Sequence, residues 1–133
     1  MNPTLVRQVF ERAGGLCEYC RLPCEFFPLT FHVDHITPRQ HGGPTKLDNL
    51  ALSCLHCNRH KGPKLAGLDP INSELVRLFD PRRDLWTEHF EWLETDLVGR
   101  TAIGRATVQV LAINAPDFRS VRDSLHREGR FPL

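Results

Sequence analysis

The sequence lacks any apolar run approaching the roughly 20 residues that cross a bilayer. Met1 leads straight into a polar segment, with none of the basic start and apolar stretch of a secretory signal. The expectation is a soluble, cytoplasmic protein without a membrane partner. Strong charge of one sign is also missing. Against 17 Lys/Arg stand 16 Asp/Glu, a formal net charge of +1, so charge alone neither demands a nucleic acid nor excludes one. There is no repeat and no low-complexity tract. An apolar fraction of 41% excludes a disordered chain. The length of 133 residues suits one compact domain, or a small module with an extension.

What is present is unevenly placed. Residues 1–67 carry 8 Lys/Arg against 5 Asp/Glu and hold five of the seven histidines, whereas residues 68–133 carry 9 Arg, no Lys and 11 Asp/Glu. The change near Gly67 predicts a module boundary, dividing the chain into 1–67 and an extension, 68–133. Five cysteines with no export signal argue against a disulfide framework. Four form two Cys-x-x-Cys pairs, Cys17/Cys20 and Cys54/Cys57, with 33 residues between Cys20 and Cys54. Two such pairs complete a closed zinc tetrahedron, which replaces core that a small module cannot supply. Cys24 is left as a free thiol, although Cys20-x-x-x-Cys24 is an alternative register. His56 and His60, beside the second pair, are alternative ligands.

Periodicity predicts a helix over 3–13, closed by Gly14-Gly15. Alternation predicts a strand over 30–36, and Pro and Gly make 37–46 a loop. A second short strand is expected over 50–53, then a helix from about Leu55 to Gly62-Pro63. Further on, 74–79 reads as extended, 89–93 and 96–100 as a hairpin, 101–113 as a helix capped by Thr101. Pro116 opens another helix that Gly129 closes, with Phe118, Val121 and Leu125 spaced to bury.

Chemistry-bearing residues cluster around the cysteine pairs: Asp34-His35, Asp48-Asn49 and Asn58-Arg59-His60-Lys61. Phosphodiester hydrolysis needs a base for water, a cation for the leaving oxygen, and charge to hold phosphate. Asp34 and Asn58 offer the carboxylate and amide oxygens that suit Mg²⁺ or Mn²⁺. Neighbours on a strand face opposite ways, so a break or bend is expected at Asp34-His35. Singly, each residue has a plainer reading: Asp34 as a turn or capping residue, Asn58 as a helix cap, His35 as a core histidine, Asn49 in an Asx-turn.

Together, the runs His32-Val33-Asp34-His35-Ile36, Pro38-Arg39, His41-Gly42-Gly43-Pro44-Thr45, Asp48-Asn49-Leu50 and Cys54-Leu55-His56-Cys57-Asn58-Arg59-His60-Lys61-Gly62 resemble the HNH endonuclease family, in its four-cysteine zinc branch. The resemblance implies an α+β fold with a zinc-stapled ββα-metal (His-Me finger) core, followed by a hairpin and helix extension. It also implies metal-dependent cleavage of DNA, with His35 as general base and Asn49 holding the loop that orients it. Asp34 and Asn58 would be ligands of one divalent cation, Mg²⁺ or Mn²⁺, and Cys17, Cys20, Cys54 and Cys57 ligands of structural Zn²⁺. Arg39, His41, Arg59 and Lys61 are candidates for substrate contacts, with Lys64 beside them; a solvated basic face is the plainer reading of the basic ones. His32 is a candidate partner of a metal ligand.

The segment 81–90 with 104–108 resembles the extension of compact bacterial HNH proteins, which carries no assigned role. Trp86, Phe90 and Trp92 are expected in a hairpin core rather than stacked on bases. Arg82, Arg83, Arg100 and Arg105 are candidates for backbone contacts. The leading expectation is an endonuclease that nicks duplex DNA, with a homodimer required for a double-strand break. The competing one is a catalytically silent zinc module that binds nucleic acid or protein.

Overall fold

A computed structural model describes residues 1–27 and 30–132. Helix α1 (Pro3–Arg12) starts where Asn2 Oδ1 accepts from the Thr4 N–H at 2.8 Å, with Pro3 at the position where a missing donor costs nothing. Gly14 and Gly15, at φ 62° and 71°, turn the chain toward the first cysteine pair. Strand β1 (Phe31–His35) pairs antiparallel with β2 (Leu50–Cys54), from Phe31 opposite Cys54 to His35 opposite Leu50. Between them, 37–46 is a loop with one 3₁₀ turn, Arg39–His41, closed by Gly42 at φ 87°. Helix α2 (Leu55–Lys61) follows β2 at once, and Cys54 caps it through Sγ, 3.4 Å from the Cys57 N–H. Strand, loop, strand and helix thus assemble the α+β core expected of the motif.

The second half opens with β3 (Ala66–Leu68), paired with β4 (Leu75–Arg77). The extended segment expected over 74–79 is therefore a three-residue strand, and its partner was not foreseen. The division expected near Gly67 falls inside β3. A short helix, α3 (Trp86–His89), leads into the expected hairpin, β5 (Phe90–Leu93) with β6 (Asp96–Gly99). Helix α4 (Ala102–Val110) is capped by Thr101 Oγ1, which accepts from the Gly104 N–H at 3.0 Å. It stops short of Ile113 because Ala112 turns to φ 48°. Ile113 is nonetheless fully buried. Helix α5 (Pro116–Arg127) buries Phe118 and Leu125 as expected, leaves Val121 half-buried, and also buries Arg122.

One apolar core serves both halves. Val9, Tyr19, Leu50 and Leu52 of the first half are in the same buried cluster as Phe79, Phe90, Leu97 and Leu111 of the second. Polar ties add to it. Trp86 Nε1 donates to Tyr19 O at 2.8 Å, Arg82 pairs with Glu18, and His56 Nε2 lies 3.0 and 2.9 Å from the carbonyls of Leu111 and Ala112. Trp86 packs at 5.2 Å from Phe90 and 5.9 Å from Trp92, centroid to centroid, so these aromatics form hairpin core as expected. Among the described residues, no helix is long and apolar enough to cross a membrane.

Candidate active site and metal centre

The two cysteine pairs converge. The first sits in a tight turn, where Cys17 N–H donates to Leu22 O and Arg21 N–H to Cys17 O, both at 2.9 Å, with Arg21 at φ 67°. The second spans the junction of β2 and α2. The Sγ atoms of Cys17, Cys20, Cys54 and Cys57 all lie within 4.8 Å of one another, and all four residues are buried. Cys20 and Cys54 sulfurs are 3.7 Å apart. A disulfide needs about 2.05 Å, while tetrahedral Zn–S bonds of about 2.3 Å place sulfurs about 3.8 Å apart. The donor set fits a metal ion and is consistent with zinc. Burial pushes the thiols of Cys20 and Cys57 well up, so these sulfurs would carry charge only with a cation bound among them.

The alternative ligands are placed elsewhere. Cys24 is a free, half-buried thiol outside the cluster. His56 faces the carbonyls of Leu111 and Ala112 and stacks on Phe118 at 3.9 Å, while His60 Nδ1 lies 2.8 Å from His56 O. Lowering of the His56 imidazole below its usual range follows from burial first.

The second constellation lies where β1 ends. Both Asp34 and His35 pair with β2, so no break separates them. The strand stops immediately after His35, and Ile36 N–H donates to Asn49 O at 2.8 Å. Asp34 Oδ2 is buried with no hydrogen-bond partner among the described residues, and Lys61 Nζ is 3.9 Å away. Burial raises the Asp34 carboxyl above its usual range, opposed first by the charge of Lys61 and then by the His35 backbone N–H. The oxygen so placed has a cation nearby and no hydrogen bond, a position a closer positive ligand would satisfy. Asn58 lies one helical turn before Lys61, on the α2 face that Lys61 directs toward β1. It is half-buried, and its side-chain amide has no hydrogen bond among the described residues.

Asn49 is buried and makes three hydrogen bonds to the loop. Its Oδ1 accepts from Thr37 N–H at 2.9 Å, and Nδ2 donates to Thr37 O at 3.0 Å and Pro44 O at 2.8 Å. One amide therefore closes the loop 37–44 at both ends. His35 Nε2 lies 2.8 Å from Thr45 Oγ1, one residue beyond that clamp.

The basic candidates divide. Arg39 and Arg59 are exposed, as is His41, whose Nε2 is 3.1 Å from Pro63 O. Lys61 is 2% exposed, and its ammonium donates to Ile36 O at 3.1 Å and His35 O at 3.4 Å. Its charge is spent inside the fold, which replaces the expectation that it meets substrate. Lys64 Nζ donates to His60 O at 2.9 Å from an exposed position. In the extension, Arg82 is tied to Glu18, Arg105 grips Asp69 through two bonds of 2.9 and 2.7 Å, and Arg100 donates to Thr87 O. Arg83 alone of these four is exposed with no partner among the described residues. His32 is exposed and has no hydrogen bond there either.

Two features of the site escaped the sequence. Gly43 was legible only as a breaker, yet an added Cβ would lie 1.8 Å from Thr37 O and 2.9 Å from Asn49 Nδ2, so the clamp itself excludes a side chain. The Thr45–His35 contact had no signal beyond its place in the motif.

Residues 17–64 match the HNH endonuclease family, and the four cysteines of this segment are positioned to bind a metal, consistent with a zinc-type HNH domain. Among characterised proteins, the chain is similar to the Septu protein PtuB of Bacillus thuringiensis, with 25% identity over 118 residues. That alignment covers 87% of this chain and 43% of the relative, so the chain spans less than half the relative's length. The domain match points to nuclease-type activity in general and to a nucleic-acid substrate.

Proposed function

We propose that the protein is a divalent-metal-dependent DNA endonuclease that nicks one strand per active site. The observation that carries this reading is the buried carboxylate oxygen of Asp34, without a hydrogen bond among the described residues, at the end of the strand that also delivers His35. Asp34 and Asn58 are the residues that would hold Mg²⁺ or Mn²⁺, two oxygens suited to a hard cation. Such an ion supplies positive charge for the scissile phosphate and for the 3′-oxygen as it leaves. His35 takes a proton from the attacking water, giving 5′-phosphate and 3′-hydroxyl ends. Asn49 keeps the loop closed so that His35 holds its direction. Arg39, His41 and Arg59 are exposed and available for phosphate contacts, whereas Lys61 supports Asp34 and the strand end. Cleavage of both strands of duplex DNA requires a second site, as in a homodimer.

One observation favours the silent zinc module instead: Lys61 already places an ammonium 3.9 Å from Asp34 Oδ2. Supercoiled plasmid incubated with Mg²⁺ or Mn²⁺, with and without EDTA, separates the two. The expected result is metal-dependent conversion to nicked circles, abolished in His35→Ala. No cleavage with any divalent cation would leave the silent module standing, and equal cleavage by His35→Ala would remove His35 as base.

A further inference from the structure

The tautomer of His35 decides whether it can act as a base. A neutral imidazole carries one N–H, and only the bare nitrogen accepts a proton. His35 Nε2 is 2.8 Å from Thr45 Oγ1, while Nδ1 has no hydrogen-bond partner among the described residues. A hydroxyl can accept from Nε2–H or donate to a bare Nε2. In the second arrangement Nδ1 bears the proton and the ring has no acceptor to offer water. In the first, Nδ1 is bare, and the contact survives protonation because imidazolium still donates through Nε2.

Thr45 is also well held for this task. It follows Pro44, whose carbonyl accepts from Asn49 Nδ2 at 2.8 Å. Asn49 carries no direct hydrogen bond to the His35 side chain in this structure, so its hold on the loop reaches the ring through Thr45.

We propose that Thr45 is a positioning residue that accepts from His35 Nε2–H and so keeps Nδ1 as the proton acceptor. In the reaction, which rests on the nuclease reading above, one water proton passes to Nδ1. The water oxygen bonds to phosphorus, the bond from phosphorus to the 3′-oxygen breaks, and that oxygen gains a proton from solvent. Thr45 itself is unchanged throughout.

Thr45 is exposed, so it can be altered without opening the core. Thr45→Val keeps the branched shape and removes the hydroxyl, while Thr45→Ser keeps the hydroxyl. The expectation is that Thr45→Val lowers kcat about 10–100-fold, taking as a guide the range for partners that orient metal-bound imidazoles, with KM for plasmid within about twofold. Thr45→Ser should recover to within about threefold of wild type. Independently of cleavage, ¹⁵N NMR of the imidazole in metal-free protein should place the proton on Nε2 in wild type and Thr45→Ser, and on both nitrogens in Thr45→Val. The proposal is overturned if Thr45→Val cleaves like wild type, if the Ser and Val variants are equally impaired, or if KM alone changes. A wild-type proton resident on Nδ1 also overturns it. Should wild type cleave nothing, the nuclease reading fails, while the tautomer measurement still decides whether Thr45 sets the His35 proton.

Discussion

Adjacent glycines in the 37–46 loop should respond to alanine in opposite order to what backbone angles suggest. Gly42 sits at φ 87° with open space around its missing side chain. Alanine there carries left-handed strain of about 1–2 kcal/mol and nothing else. Gly43 has no positive φ, yet a Cβ would lie 1.8 Å from Thr37 O, 2.6 Å from Thr37 C and 2.9 Å from Asn49 Nδ2. An ordinary carbon–oxygen contact is about 3.3 Å, so the two loop ends must part by more than an ångström. Thr37 cannot yield alone, because Asn49 bonds both its N–H and its carbonyl. Parting the two ends strains all three bonds of the Asn49 clamp, two to Thr37 and one to Pro44 O, worth about 1 kcal/mol each. Alanine recovers about 0.4–1 kcal/mol by stiffening the unfolded chain. The net loss for Gly43→Ala is about 2–3 kcal/mol, a large share of the roughly 5–15 kcal/mol that holds a domain. Urea unfolding of the zinc-loaded protein at neutral pH measures both variants, with m-values confirming a shared mechanism. Gly43→Ala should be the less stable, and it should lose cleavage because Thr45 and His35 move with the loop. A Gly42→Ala variant as destabilised as Gly43→Ala, or more so, would refute the clamp.

Metal analysis should find one tightly held zinc per chain, and Cys17→Ser/Cys54→Ser should hold none and fold poorly; a folded, reduced, metal-free wild type would contradict this. Lys61→Met keeps the aliphatic stem but strips the partners of Ile36 O, His35 O and Asp34. It should cost about 1–3 kcal/mol without divalent cation, less when Mg²⁺ or Mn²⁺ is added, and unchanged stability by thermal melting would count against the buried role. Arg105, hydrogen-bonded to Asp69, holds that carboxyl below its usual range. A depressed carboxyl stabilises above its unfolded pKa of about 3.9 and ceases to as pH falls through the folded value. The stability gap between wild type and Asp69→Asn should therefore be steady near pH 5–7 and close below about pH 4; a gap that persists at pH 2 would show that Asp69 acts by packing rather than charge.

The first half was legible because metal and motif fix it locally. Cysteine spacing determines which sulfurs can meet, and strand, loop and helix follow from alternation and breakers. The misreadings and the features left unread share one cause, since each depended on a partner distant in sequence. Lys61 looks like a surface base until β1 is laid against α2 and its ammonium reaches Ile36 O. Arg105 looks like a phosphate contact until Asp69, 36 residues away, is seen to hold it. Arg122 is a charged residue on an amphipathic helix, yet it is fully buried, donating to Thr95 O at 2.9 Å and Ile113 O at 2.7 Å. Ala66–Leu68 shows too short a pattern to signal a strand and becomes one only through β4.

The two central strands divide the labour. An isolated two-stranded hairpin is marginal in water, so β1 and β2 need support from elsewhere, and more of it is applied to β2. All five β2 residues are buried. Leu52 exchanges hydrogen bonds with Glu18, its N–H donating to Oε2 at 2.7 Å and its carbonyl accepting from the Glu18 N–H at 2.9 Å. Leu50 O accepts from Arg12 at 2.6 Å and from Arg82 at 3.4 Å, joining α1 and the extension to one carbonyl. Cys54 closes the other end of β2 in the metal cluster. Strand β1 is buried fully only at Phe31, and grows no more buried toward Asp34 and His35. With β2 anchored at both ends, β1 can present a carboxylate lacking a hydrogen-bond partner and an imidazole with one free nitrogen, groups too costly to place on an element that must hold itself together. The cysteine cluster and the extension therefore serve the same end, which is to keep β2 still enough for β1 to carry the chemistry proposed for it.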